Sequence, residues 1–300
     1  MKLELRVLQY FLAITREQSI LGAAESLHLS QPTLSRQIKD MEEELGKQLF
    51  IRSNRRITLT EEGMILRKRA EEILDLVQKT QNEISLSSEI IAGDIHVGGG
   101  ESDGMRFMAR AAKCLQEEHP LVHFHVVSGD QETVIEQLDR GLIDFGVVFG
   151  NFDTTKYETI TPDYQENFGI LMKKDDPLAE KSVIENKYLK GKPLIVSRQI
   201  LKYDPTALER QFGLKGDDLN IVGTYNLLFN GSLMVEEGMG YAVCYDKIIN
   251  TSGDSNLTFR PLAKQFSAQP TIIWKKYQVF SKACEKYLEY LKQTVPPNDN

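Results

Sequence analysis

Residues 22–38, Gly22-Ala23-Ala24-Glu25-Ser26-Leu27-His28-Leu29-Ser30-Gln31-Pro32-Thr33-Leu34-Ser35-Arg36-Gln37-Ile38, constrain the fold more than any other stretch. They read as two short helices joined by a tight turn. Ala23, Ala24 and Leu27 form one apolar face. Leu34, Ile38, Met41 and Leu45 form another at helical spacing. Small residues on the first helix let the second cross close by. Ser30 suits an N-cap and Pro32 the first turn of the second helix. Gln31, Thr33, Ser35, Arg36 and Lys39 are left near its exposed start. Side chains of this type reach base edges and phosphates when such a helix enters a major groove. The plainer alternative is an αα-hairpin with a polar face.

The residues that follow favour the first reading. Leu45-Gly46 ends the helix. Leu49-Phe50-Ile51-Arg52 and Ile57-Thr58-Leu59-Thr60 then read as two short strands around a tip of Ser53-Asn54-Arg55-Arg56. A basic tip beside such a helix can enter the flanking minor groove, whose negative potential favours arginine.

From Ala23-Ala24 to Leu59-Thr60-Glu61-Glu62-Gly63 the chain resembles the winged helix-turn-helix of LysR-type transcriptional regulators. The features that carry the resemblance are Ser30-Gln31-Pro32, Leu34-Ser35-Arg36-Gln37-Ile38, Leu45-Gly46, Leu49-Phe50-Ile51-Arg52 and Leu59-Thr60. Ile20-Leu21-Gly22 departs mildly from the family pattern, outside the recognition helix. The resemblance implies DNA contacts at Gln31, Pro32, Thr33, Ser35 and Arg36. Arg55 matches the family's minor-groove arginine. Arg52 is expected on the DNA backbone or paired with a carboxylate of the next helix.

Net charge is −7, which at first sight disfavours a DNA binder, but it is unevenly spread. Residues 1–60 carry nine Lys+Arg against seven Asp+Glu, which leaves −9 on the rest. A small basic surface on an acidic body still meets phosphates while the body avoids adhering to DNA. No apolar run approaches the roughly 18 residues of a membrane span, and the start lacks a long apolar leader segment. Cys114, Cys244 and Cys284 are widely spaced, odd in number and without metal-ligand spacing. A bacterial-type cytoplasm is the compartment expected.

Leu5, Leu8, Phe11, Leu12 and Ile14 predict a first helix under the helix-turn-helix. Thr60 reads as the N-cap of a long helix whose Glu61 and Glu62 complement its dipole. Along it Leu66, Ala70, Ile73, Val77 and Ile84 follow a heptad spacing, which predicts a seam pairing two subunits. The alternative is a helix docked on its own domain. Residues 85–88 read as a hinge.

From Ala92 strands and helices alternate. The expected organisation is an α-rich winged helix-turn-helix head over residues 1–60, a linker helix over 61–88, and a two-lobed α/β domain. Lobe I takes residues 92–161 and 267–295, and lobe II takes 162–266. This region resembles, more weakly, the family's effector-binding domain with its periplasmic-binding-protein-like fold. Its marks are Gly141-Leu142-Ile143-Asp144-Phe145-Gly146-Val147, Asp176-Pro177-Leu178-Ala179 and Val235-Glu236-Glu237-Gly238-Met239-Gly240. The resemblance implies a small-molecule effector held between the lobes, and homodimers that associate to tetramers.

Gly98-Gly99-Gly100 lacks the glycine spacing and the distal acid of a dinucleotide fingerprint, so no cofactor is expected. His123 and His125 share a strand face without further metal ligands, and no metal site is expected. No nucleophile elbow or catalytic constellation is evident, so the chain is not read as an enzyme. Ligands of two-lobed α/β domains lie at the carboxyl ends of strands. Here those ends supply Gly100, Glu101 and Ser102, then Ser128, Gly129 and Asp130, then Phe149, and in the other lobe Ser197 and Arg198. Arg198 pointing inward would favour a carboxylate or phosphate. Glu101 and Asp130 pull the other way, which keeps a zwitterion open. The rival readings are a ligand-independent DNA-binding repressor whose lobes only oligomerise, and an enzyme with a DNA-binding head.

Overall fold

The computed structural model describes residues 3–52, 56–85, 90–203, 206–213, 218–264 and 267–295, with the backbone alone at residues 52, 82–85, 203, 207, 210, 211 and 267. The chain divides into two compact units, Met1–Ser88 and Glu89–Asn300.

In the first unit, α1 (Leu5–Glu17) buries Val7, Leu8, Phe11, Ala13 and Ile14. α2 (Ile20–Ser26) starts at Ser19, whose hydroxyl accepts from Gly22 N at 3.2 Å. Its Ala23 and Ala24 are fully packed, so α3 (Gln31–Leu45) crosses at close range on Leu34, Ile38 and Met41. Ser30 caps α3, accepting from Thr33 N at 3.3 Å, and Gly46 ends it at φ 64°, a left-handed conformation that glycine adopts without strain. β1 (Phe50–Arg52) and β2 (Ile57–Leu59) form an antiparallel ribbon in the register Phe50↔Leu59. Ile57 N donates to Gln18 O at 3.0 Å, which ties the ribbon to the α1–α2 turn.

α4 (Glu61–Ser85) follows. The Thr60 hydroxyl accepts from Gly63 N at 3.0 Å and donates to Gln48 O at 2.8 Å, so one residue caps the helix and closes the ribbon. A Cβ at Gly63 would lie 2.2 Å from Leu49 O, so only glycine allows this approach. Ala70 is buried in the core of the unit, and Leu66 and Leu74 pack against that core.

The second unit holds two sheets. The first has the order β4-β3-β5-β13-β6. It is built from β3 (Gly93–Gly99), β4 (Val122–Ser128), β5 (Phe145–Phe149), β6 (Tyr157–Ile160) and β13 (Pro270–Lys275). β3, β4 and β5 are mutually parallel, and β13 runs antiparallel to β5 and β6. α5 (Met105–Glu118) and α10 (Lys282–Thr294) pack together on one face, where Phe145, Trp274 and Tyr287 centre the core. α6 (Gln131–Asp139) covers Ile143, Val148 and Ile273 on the other face.

The second sheet has the order β11-β7-β10-β8-β9. Its strands are β7 (Glu166–Lys173), β8 (Pro193–Ser197), β9 (Asn220–Tyr225), β10 (Tyr241–Tyr245) and β11 (Leu257–Pro261). Only β8, β9 and β10 are parallel; β7 and β11 make the sheet mixed rather than a second purely parallel unit. α7 (Arg198–Tyr203) and α8 (Ala207–Phe212) lie between β8 and β9, and α9 (Leu228–Glu236) lies between β9 and β10. β12 (Ser267–Ala268) pairs with β7, so the chain returns to the first sheet at Pro270 rather than at residue 267. Gln269 Nε2 donates to Pro162 O at 3.0 Å and ties the two crossings together.

Candidate nucleic-acid interface and ligand cleft

The exposed start of α3 presents Gln31, Pro32, Thr33, Arg36 and Lys39 to solvent, with Ser35 half-buried beside them. The Thr33 hydroxyl lies 2.7 Å from that of Ser30, so Thr33 is held by the cap. Arg36 is 82% exposed, with Nε 3.9 Å from Asp40; Lys39 Nζ lies 3.4 Å from Glu43. Both pairs are one turn apart on a solvated helix, where ion pairs contribute at most about 1 kcal/mol, so both cations can exchange partners for phosphate. Arg56 is exposed beside β2. The side chain of Arg52, and Asn54 and Arg55 entirely, lie outside the described residues.

On α4 the heptad residues part company. Ala70 is 0% exposed and Leu66 packs beside it, so both serve the unit's own core. Ile73 is 37% and Leu76 42% exposed, and Val77 is half-buried. Ile65 and Leu76 are 11 residues, about three turns, apart and therefore share a face. The side chain of Ile84 lies outside the described residues.

Between the two sheets of the second unit is a cavity of about 140 Å³. Gly100, Glu101, Ser128, Gly129, Phe149 and Ser197 line it together. Three of the residues picked from the strand ends stand elsewhere. Ser102 lines an adjoining cavity of about 410 Å³ with Asp103, Arg106 and Lys247. Asp130 caps α6, accepting from Thr133 N at 2.9 Å and Thr133 Oγ1 at 2.7 Å. Burial pushes its carboxyl upward, but these bonds and the nearby Lys202 and Arg198 leave it below the ordinary carboxylate range. Arg198 opens α7 and is exposed, outside the lining of either cavity.

Strand ends do not identify the rest of the wall. Tyr245 packs on Phe149 (ring centroids 5.5 Å) and on Phe168 (4.4 Å), so an aromatic group forms the floor. Burial pushes the Tyr245 hydroxyl upward, so it stays protonated. The Tyr225 hydroxyl donates to Val243 O at 2.7 Å and is already engaged. Gln199, Asn226 and Cys244 complete the polar and soft parts of the lining. Glu101 does more than line the cavity, because its carboxylate also accepts from Leu228 N and caps α9 from the opposite sheet. At the chain crossing, Glu166 is buried and accepts from Gly104 N at 2.8 Å.

A family profile described as "Bacterial regulatory helix-turn-helix protein, lysR family" matches residues 5–64. A second, "LysR substrate binding domain", matches residues 89–296. The chain belongs to the LysR family. Among its relatives, the HTH-type transcriptional regulator BsdA of Bacillus subtilis (strain 168) is 36% identical over 146 residues, 48% of this chain and 50% of that protein. The DNA-binding transcriptional dual regulator OxyR of Escherichia coli (strain K12) is 27% identical over 194 residues, 65% of this chain and 63% of that one. The chain thus spans about half to two thirds of the length of these two relatives. The crystal structure of CbnR, a LysR family transcriptional regulator, shares the fold with a TM-score of 0.77 at 16% identity, over 98% of this chain and 99% of that one. CbnR complexed with its target DNA gives 0.76 at 16% identity, over 98% and 100%. No helix among the described residues is long and apolar enough to cross a membrane.

Proposed function

We propose that this LysR-family chain is a cytoplasmic DNA-binding transcriptional regulator that responds to a small-molecule effector. Residues 1–60 read promoter DNA, residues 61–88 pair subunits, and the sheets of 92–161 with 270–295 and of 162–268 hold the effector between them. One observation carries the reading. A capped helix, seated on paired alanines, keeps its core residues inward and presents Gln31, Thr33, Arg36 and Lys39 outward beside a short ribbon. That geometry suits a helix in the major groove with Arg52, Asn54, Arg55 and Arg56 of the ribbon tip at the flanking minor groove and backbone. The naming of BsdA, OxyR and CbnR as transcriptional regulators supports it and gives no support to an enzyme with a DNA-binding head. Paired subunits would place two recognition helices on two half-sites, spaced by whole turns of about 10 base pairs.

The test is a footprint on the DNA upstream of the protein's own coding region, with and without metabolite pools. Protection of two spaced half-sites, altered by a pool, is the expected outcome. Absence of any protected sequence at physiological salt would end the proposal; protection that no pool alters would favour a ligand-independent binder.

A further inference from the structure

The charge of the cleft limits what it can hold. Among the described residues lining the 140 Å³ cavity, Glu101 is the one formal charge; no lysine, arginine or histidine lines it. Anions are often held instead by helix N-termini, but three of those near this cleft are already occupied by the chain's own carboxylates, and the remaining one, α7, is only six residues long. Glu101 caps α9 through Leu228 N. Asp130 caps α6 through Thr133 N at 2.9 Å, and Glu166 meets the start of α5 through Gly104 N at 2.8 Å. Of the nearby cations, Lys202 pairs with Glu132, Lys247 Nζ lies 3.9 Å from Asp103, and Arg198 is exposed outside the lining. An incoming carboxylate or phosphate would meet Glu101 with no countercharge in the lining of this cavity. A ligand with N–H donors would not, because a carboxylate has about four acceptor positions and Leu228 N uses one.

The rest of the wall favours a flat, apolar body. Phe149 stacks on Tyr245, and Phe168 packs on Tyr245 at a tilt of 49°. A cavity of about 150 Å³ accepts a benzene ring, and an aromatic face also attracts a cation. We infer that the cleft selects a small planar compound bearing hydrogen-bond-donating nitrogen, bound through Glu101 and the Phe149–Tyr245 rings, and rejects carboxylates and phosphates of the same shape. This rests on the effector-cleft reading above. Because Glu101 comes from one sheet and Leu228 from the other, a donor arriving at that carboxylate acts on the bond that clasps the two sheets.

The test uses three probes of one shape and different charge: benzamidine, benzamide and benzoate. Each is titrated into the full-length protein by calorimetry and thermal shift at fixed ionic strength, with a gel shift on the same sample. Benzamidine should bind tightest and benzamide next, with benzoate silent. Glu101→Gln keeps an oxygen for Leu228 N, so α9 stays capped while the charge is lost. It should weaken benzamidine at least about tenfold and remove the penalty on benzoate. Glu101→Ala, which removes the cap as well, should lower the melting temperature where Glu101→Gln does not. Benzoate binding as tightly as benzamidine, or benzamidine binding unchanged in Glu101→Gln, overturns the ligand class and leaves the effector cleft standing. Silence of all three at millimolar concentration also overturns it. Loss of DNA binding by the wild type in the gel shift would instead overturn the regulator reading.

Discussion

The carboxylate of Glu42, on the last turns of α3, accepts a hydrogen bond of 2.7 Å from Leu49 N, the residue that leads into the β-ribbon. A second, 3.2 Å, comes from Phe50 N. Both donors belong to buried residues. The recognition helix therefore fixes the base of the wing directly. Glu42→Ala would leave two buried N–H groups without an acceptor, at a cost of about 1–3 kcal/mol each. Thermal denaturation should register that loss, and DNA affinity should fall with it. Glu42→Gln retains an acceptor oxygen and should recover most of both. An unchanged melting temperature in the alanine variant would show that the wing is held some other way.

Arg36 should behave in the opposite manner. Its ion pair with Asp40 is a 3.9 Å contact on an exposed helix face, so Arg36→Ala should move stability by less than about 0.5 kcal/mol. On the specific DNA site it should cost roughly 1–3 kcal/mol. A base contact would relax specificity at one position. A phosphate contact would weaken all sequences alike and flatten the salt dependence. Equal affinity of variant and wild type for every sequence would remove Arg36 from the interface.

These two residues show what was legible in the sequence. Ser30, Pro32, Gly46 and Thr60 announce helix ends because capping is local chemistry, and the structure places each in that role. Glu42 announces nothing; it is one acid in the run Glu42-Glu43-Glu44, and only the fold brings the ribbon to it. The second unit repeats the pattern. Apolar runs such as 145–149 and 241–245 mark buried strands, whereas β6, β11 and β12 carry no such run and owe their existence to the partners β13 and β7. Strand ends locate Gly100, Ser128, Phe149 and Ser197 on one cavity. Tyr245 and Leu228 require the sheet order, which local patterns do not carry. Asp130 and Arg198 show the converse: residue type suggests a ligand contact, but one caps a helix and the other faces outward.

The linker helix yields a prediction that separates its two faces. Ala70 is fully buried in the head, while Ile73 and Leu76 remain over a third exposed in a single subunit. Ala70→Asp should unfold the head, because it buries a charge without a partner. Ile73→Asp or Leu76→Asp should leave the head's melting temperature nearly unchanged and abolish the dimer in light scattering, with loss of operator binding in gel shifts. A stable dimer in both of the latter variants would place the subunit contact off this helix.

The last prediction concerns pH. Glu166 is buried, and desolvation raises its carboxyl above the ordinary value of 4.5, against the opposing bond from Gly104 N and with a further push from the negative charge of Asp103. Tyr164 stands at both carboxylates, its hydroxyl 3.3 Å from Asp103 Oδ2 and 3.4 Å from Glu166 Oε2. A folded-state value above the unfolded one means that the native protein binds more protons than the unfolded chain between those two values. Stability must then fall as pH rises through that window, starting near 4.5 and ending above the raised value. Asp130 acts with the opposite sign: its lowered carboxyl stabilises the fold above its unfolded value of 3.8, and that contribution is lost on acidification. Glu166→Gln keeps an oxygen for Gly104 N and removes the titration. Denaturant unfolding at a series of pH values should show the variant gaining on the wild type as pH rises above about 4.5, with the two converging below it. Parallel curves across the whole range would mean that Glu166 titrates alike in the folded and unfolded chains.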